Sequence, residues 1–100
     1  MSGWTISPQA NGDWDAIWHY WVEQAGDEAA ERLRVDFIEA FDLLAERPMI
    51  GHKRSDVRRP VRFWNVRDYV VIYWADTDPI EVLRLAYGAQ EIPRIVSEIP

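Results

Sequence analysis

Cysteine is absent from the 100 residues, and histidine occurs only at positions 19 and 52. The first absence excludes a disulfide framework and thiol chemistry. With no thiolates and two histidines, no metal site is expected, and His19 is expected on a helix surface. No Gly-x-x-x-x-Gly-Lys loop is present, and none of Ser2, Ser7, Ser55 and Ser97 has a Gly-x-Ser-x-Gly setting. A nucleotide-phosphate loop and an elbow-type hydrolase nucleophile are therefore unsupported, and no cofactor is expected. The longest apolar run, Val70-Val-Ile-Tyr-Trp-Ala75, has strand length and falls far short of a membrane span. The start, MSGWTISPQ, has neither a basic opening nor an apolar core, so no secretion signal is expected and the cytoplasm is the expected location. Positive charge is scarce as well: 11 Lys and Arg against 17 Asp and Glu give a net charge of −6. Such a chain gains little from counterion release on nucleic acid, so no direct sequence-specific nucleic-acid binding is expected.

Apolar residues make up 48% of the chain and thirteen are aromatic, enough for one hydrophobic core spanning residues 1–100 as a single domain. The charge is unevenly placed. Residues 1–50 hold ten Asp/Glu against three Lys/Arg, whereas residues 52–67 hold Lys53, Arg54, Arg58, Arg59, Arg62 and Arg67 against Asp56 alone. This basic belt either meets an anionic partner or balances the acidic half within the fold.

Gly3-Trp-Thr-Ile-Ser7 is short and β-prone, and Ser7-Pro8 reads as an N-cap followed by proline at the first helical position. Ala10, Trp14, Ile17, Trp18, Trp21 and Ala25 follow at helical spacing, with Asp13, Asp15 and Glu23 mainly off that stripe. Gly26 ends the helix, and Asp27 is expected to cap a second one over about Glu28–Arg47. Its core face is Ala30, Leu33, Phe37, Phe41 and Leu44. Pro48 stops it, Met49 and Ile50 are expected to enter the core, and Gly51 to permit a reversal. Val61–Val66 and Tyr69–Trp74 flank Arg67-Asp68 as a short hairpin. Asp76-Thr-Asp-Pro79 turns into a third strand, Ile80–Tyr87, closed by Gly88, and Glu91–Ile99 reads as a weak helix interrupted by Pro93. The fold class is α+β: an N-terminal strand, an antiparallel helical hairpin and a three-stranded antiparallel meander.

Ser7-Pro8-x-Ala10, Leu44-Ala-Glu-Arg-Pro48-x-Ile50-Gly51, Val61-Arg62-Phe63, Tyr69-Val-Val-Ile-Tyr73 and Ile80-Glu-Val-Leu-Arg84-Leu-Ala-Tyr87-Gly88 occur in that order. This ordered set, from Ser7 to about Ile95, resembles the ParE branch of the RelE/ParE superfamily of type II toxin–antitoxin systems. The resemblance implies the same β-α-α-β-β-β architecture. It also implies a cytoplasmic toxin, with a ParD-like antitoxin as partner and DNA gyrase as target of a non-enzymatic inhibition. One alternative is a RelE-type ribosome-dependent mRNA endoribonuclease; another is a small α+β protein-binding module.

Nuclease members carry Arg just after the central-strand Tyr, where this chain has Val70. Where both branches often carry His-Gly-x-Arg, it has Tyr87-Gly88-Ala89-Gln90. No catalytic residue is therefore expected; a ribonuclease would have to use Arg62, Arg84 and Tyr87. The same three are the expected target-binding residues. Arg54, Arg58, Arg59, Arg62 and Phe63 are expected on one sheet edge, receiving an antitoxin segment rich in Asp and Glu.

Overall fold

Helix 1 starts where the sequence places its cap. In the computed structural model, which describes residues 3–57, 59–88 and 91–99, β1 (Trp4–Ile6) runs through Ser7 into α1 (Pro8–Ala25). Ser7 Oγ accepts the Ala10 N–H at 3.0 Å and Pro8 opens the helix. Gly26 then turns the chain with a φ of 90°, a region that glycine adopts without steric cost, and α2 (Asp27–Glu46) runs back against α1. The side chain of Asp27 does not cap α2. Gly26 occupies that position, and Asp27 and Glu28 lie in the first turn, where negative charge favours the helix dipole. The expected face of α2 is buried as read, and Ala29, Ala40 and Ala45 are buried with it.

The chain departs from expectation just after α2. Pro48–Ile50 forms one 3₁₀ turn in which Met49 is 62% exposed, while Ile50 packs partly against the core. Gly51 has an ordinary φ of −64°, so no special backbone conformation demands it. Space demands it: a Cβ there would lie 2.3 Å from the Tyr73 hydroxyl. That hydroxyl donates to the Pro48 carbonyl at 2.7 Å and accepts the Gly51 N–H at 3.0 Å.

Strands β2 (Val61–Val66), β3 (Tyr69–Trp74) and β4 (Ile80–Tyr87) form the antiparallel meander. β1 joins it as a fourth strand, parallel to β4, giving the order β1-β4-β3-β2. The β2–β3 hairpin turns through Arg67 at a φ of 54° and Asp68. In β4 the register slips: Ile72 faces Arg84 but Tyr73 faces Val82, leaving Leu83 as an extra residue in a bulge. The slip puts Val82 and Leu85, three residues apart, on one face and Leu83 and Ala86 on the other, which strict alternation would not allow. Val82 and Leu85 join Leu33, Phe37, Phe41, Tyr69, Val71 and Tyr73 under the helical hairpin. Leu83 and Ala86 join Val61, Phe63, Val70 and Ile72 on the other face, covered by α3 (Ile92–Ser97). Pro93 lies in the first turn of α3, where its missing N–H breaks no helical bond, so it does not interrupt the helix. β3 is buried on both faces, which is why it reads as a continuous apolar run.

Burial holds the Tyr73 phenol above its ordinary pKa. The folded state thus favours the protonated donor. Its stabilisation should be fully present below about pH 10 and be lost as pH rises through the higher folded value. Tyr73→Phe should cost about 1–2 kcal/mol at neutral pH by leaving the Gly51 N–H and Pro48 carbonyl without this partner. It should also lose less stability than the parent between about pH 8 and about pH 11. Urea unfolding at both values checks this; equal losses in parent and variant would detach alkaline unfolding from Tyr73.

Candidate functional site

Beyond Val82 the outer edge of β4 is no longer paired with β1, and groups from the start of α1 satisfy it. Ser7 donates its N–H to the Val82 carbonyl at 2.9 Å and its hydroxyl to the Leu83 carbonyl at 2.8 Å. Asp13 Oδ2 accepts the Leu85 N–H at 2.9 Å. The same carboxylate holds Arg84 in a fork, Nε to Oδ2 at 2.8 Å and Nη2 to Oδ1 at 3.1 Å, and Arg84 Nη1 reaches Glu98 at 3.1 Å. Hydrogen bonding to Asp13 raises the Arg84 pKa further. With a side chain only 14% exposed, Arg84 ties α1, β4 and the segment after α3 together. Asp13 was placed off the core stripe by its spacing. Its role depends on a strand edge about 70 residues away in sequence.

The basic belt is divided by the fold. Arg62 Nη1 donates to the carbonyls of Gly51 at 2.9 Å and Met49 at 3.2 Å, pinning the turn after α2. Phe63 is 3% exposed, with its ring on the α3 face of the sheet. Its backbone N–H and C=O bond His52 at 2.9 and 2.8 Å, so the loop after Gly51 already covers part of the β2 edge. The His52 ring stacks on Trp64 at 6.0 Å. Along β2 the outward backbone groups alternate, which leaves Asn65 as the next outward and exposed position. Arg54 pairs with Asp56 through Nε at 2.9 Å and Nη2 at 2.8 Å. Arg59 is half-buried, and Arg58 lies outside the described residues, as do Ala89 and Gln90.

Tyr87 lies elsewhere, 66% exposed and paired across the sheet with Tyr69. Arg62 pairs with Tyr73, four residues along the same strand, about 13 Å at the usual rise. Arg84 pairs with Ile72 and so shares the α3 face, whereas Tyr69 belongs to the hairpin face. The three residues expected to act together therefore do not form one cluster.

Around Tyr87 the structure assembles a recess that the sequence did not reveal. Ala16, Ile17, Tyr20 and Trp21 of α1, Arg67 and Asp68 of the hairpin, and Tyr69 and Tyr87 of the sheet line an open recess of about 500 Å³. Trp21 Nε1 donates to the Tyr69 hydroxyl at 2.8 Å, and the Tyr69 and Tyr87 rings meet edge to face at 5.3 Å. Burial raises the Tyr69 pKa above its ordinary value. Arg67 bonds Asp36 at 2.7 Å and places its guanidinium 5.6 Å from the Trp21 ring. The one local signal was the dipeptide Tyr20-Trp21, in which Tyr20 is an aromatic off the core stripe beside one on it. Among the described residues no group of three or more His, Cys, Asp or Glu is placed to hold a metal ion, and no helix is long and apolar enough to cross a membrane.

Replacing Arg84 by Met should destabilise the fold by about 1–3 kcal/mol, since it leaves a largely enclosed Asp13 carboxylate without its cation. Urea unfolding measures it. A loss below about 0.5 kcal/mol would mean that solvent screens this pair as it screens surface pairs.

The family sequence model described as "ParE toxin of type II toxin-antitoxin system, parDE" matches residues 5–92. No curated protein matches the chain. Among solved structures, one described as "Chromosomal ParDE TA system from P. aeruginosa" is similar in fold, with a TM-score of 0.74. It is 24% identical, over 88% of this chain and 97% of that one. The two chains thus share a fold, and the family match covers this one from the second residue of β1 to the first of α3. The chain belongs to the ParE toxin family of type II toxin–antitoxin systems.

Proposed function

We propose that this ParE-family toxin inhibits DNA gyrase by binding it, without catalysing a reaction, and that a ParD-like antitoxin silences it. The observation that carries the non-catalytic reading is the engagement of its two central-sheet arginines. Arg62 is bonded to two carbonyls and Arg84 to two carboxylates. Cleaving a phosphodiester without a metal needs an acid–base pair or dense positive charge at the transition state. Val70, standing where nuclease relatives carry arginine, is buried among apolar side chains. Family membership supports gyrase as the target. The relative from P. aeruginosa comes from a ParDE system, which supports a ParD-like partner for this chain.

Expression without antitoxin should make cells filament and induce the SOS response before protein synthesis falls. Purified toxin should inhibit supercoiling by gyrase and leave messenger RNA on translating ribosomes intact. Immediate translation arrest with normal supercoiling and a silent SOS reporter would replace this reading with a ribonuclease. Single substitutions of exposed polar residues should reduce toxicity by less than the roughly 10²–10⁴-fold typical of a lost catalytic group, because an interface spreads its energy over several anchors.

Antitoxin docking is proposed along the belt, with Arg54, Arg58 and Arg59 meeting carboxylates and Asn65 offering backbone groups to an extended segment. Arg62 and Phe63 hold this edge in place from beneath. An Arg54→Ala, Arg59→Ala variant should bind antitoxin more weakly and with a shallower salt dependence, mostly through a slower on-rate. Unchanged affinity and salt response would return the belt to internal charge balance.

A further inference from the structure

We infer that the aromatic recess between α1 and the β2–β3 hairpin is a cation site that receives a Lys or Arg side chain of a partner polypeptide. Tyr20, Trp21, Tyr69 and Tyr87 supply four rings around about 500 Å³, within the range of ligand-sized pockets. Such rings present negative faces to a cation. The polar groups of the lining are of the matching kind: tyrosine oxygens and the exposed Asp68 carboxylate. The lining's one cation, Arg67, is already bonded to Asp36, so an anionic ligand would meet a guanidinium whose charge is balanced. Arg67 itself lies over Trp21, an internal instance of the contact proposed for the incoming group.

The surrounding field has the same sign. Glu23 is exposed one helical turn beyond Tyr20, Asp15 is exposed on the same helix, and the whole chain carries −6. A cationic segment would be drawn to this end of the molecule before contact. Tyr20 and Tyr87 are 59% and 66% exposed, so two of the four rings present large accessible areas to a partner. The inference stands apart from the choice of gyrase or any other target, because it concerns the chemistry of the anchor and not the protein that carries it.

The test uses ¹⁵N-labelled full-length toxin and the peptides Gly-Gly-X-Gly-Gly, with X as Lys, Arg, Leu or Glu. The readout is the Trp21 indole N–H resonance, assigned with Trp21→Phe, at concentrations that saturate a millimolar site. The Lys and Arg peptides should shift it saturably and more weakly as salt rises, while the Leu and Glu peptides should not. Tyr20→Leu and Tyr87→Leu, at exposed positions that keep apolar area but lose the ring, should each weaken binding by about two- to fivefold. Tyr87→Phe should retain it. An equal response to the Leu peptide would make the recess an apolar anchor pocket, and a preference for Glu would make it an anion site at Arg67. Either result, or silence with all four peptides, overturns the proposal.

Discussion

The open edge of β4 is the constraint on which the rest of the molecule depends. β1 pairs only three residues of that strand, and the bulge at Leu83 disturbs the ladder just where β1 stops. The carbonyl of Leu83 and the N–H of Leu85 would otherwise lack protein partners at a largely buried joint, at a cost of about 1–3 kcal/mol each. Ser7 and Asp13 supply those partners from opposite ends of the first turns of α1. Fixing the start of α1 against β4 also fixes its far end, and so brings Tyr20 and Trp21 over Tyr69 and Tyr87. The aromatic recess is a consequence of how the sheet edge is satisfied at the other end of the helix.

Charge in this toxin is arranged more by internal pairing than by display. Arg84 joins α1 to the segment after α3, Arg67 joins the hairpin to α2, and Arg62 holds the turn at Gly51. Exposed pairs such as Arg34–Glu31 and Arg54–Asp56 contribute little, because water screens them. The Asp13–Arg84 fork is different in kind. It is bidentate, mostly shielded, and its carboxylate has a second obligation to a backbone N–H. An acidic protein with a local run of arginines therefore shows fewer uncommitted cations than its sequence promises.

A fold does not fix an activity, so activity has to be argued from side chains. Two residues on neighbouring strands carry that argument here. Val70 packs beneath α3 and Arg84 turns to carboxylates, and neither position offers a phosphate a positive contact. What the surface does offer is area: an edge partly covered by its own loop, and a ring-lined recess at the opposite end of the sheet. Both are surfaces on which a partner polypeptide can be held.

The sequence by itself determined the elements and their faces. Ser7-Pro8, Gly26 and Pro48 punctuate the chain by local backbone chemistry, and the spacing of Leu33, Phe37, Phe41 and Leu44 fixes the buried side of α2. These are short-range rules, and they hold wherever the segment finds itself. Other roles were legible only in three dimensions. Gly51 reads as a turn residue until Tyr73 occupies the space its side chain would fill. Met49 reads as core until the 3₁₀ turn points it to solvent. Asp13 reads as a solvated acid until the bulge leaves Leu85 in need of an acceptor. Tyr20, Trp21, Tyr69 and Tyr87 come from three elements, and no periodicity of one segment can report their meeting. Local propensity encodes what a residue does to its own backbone; only the packed chain decides which distant group it has to satisfy.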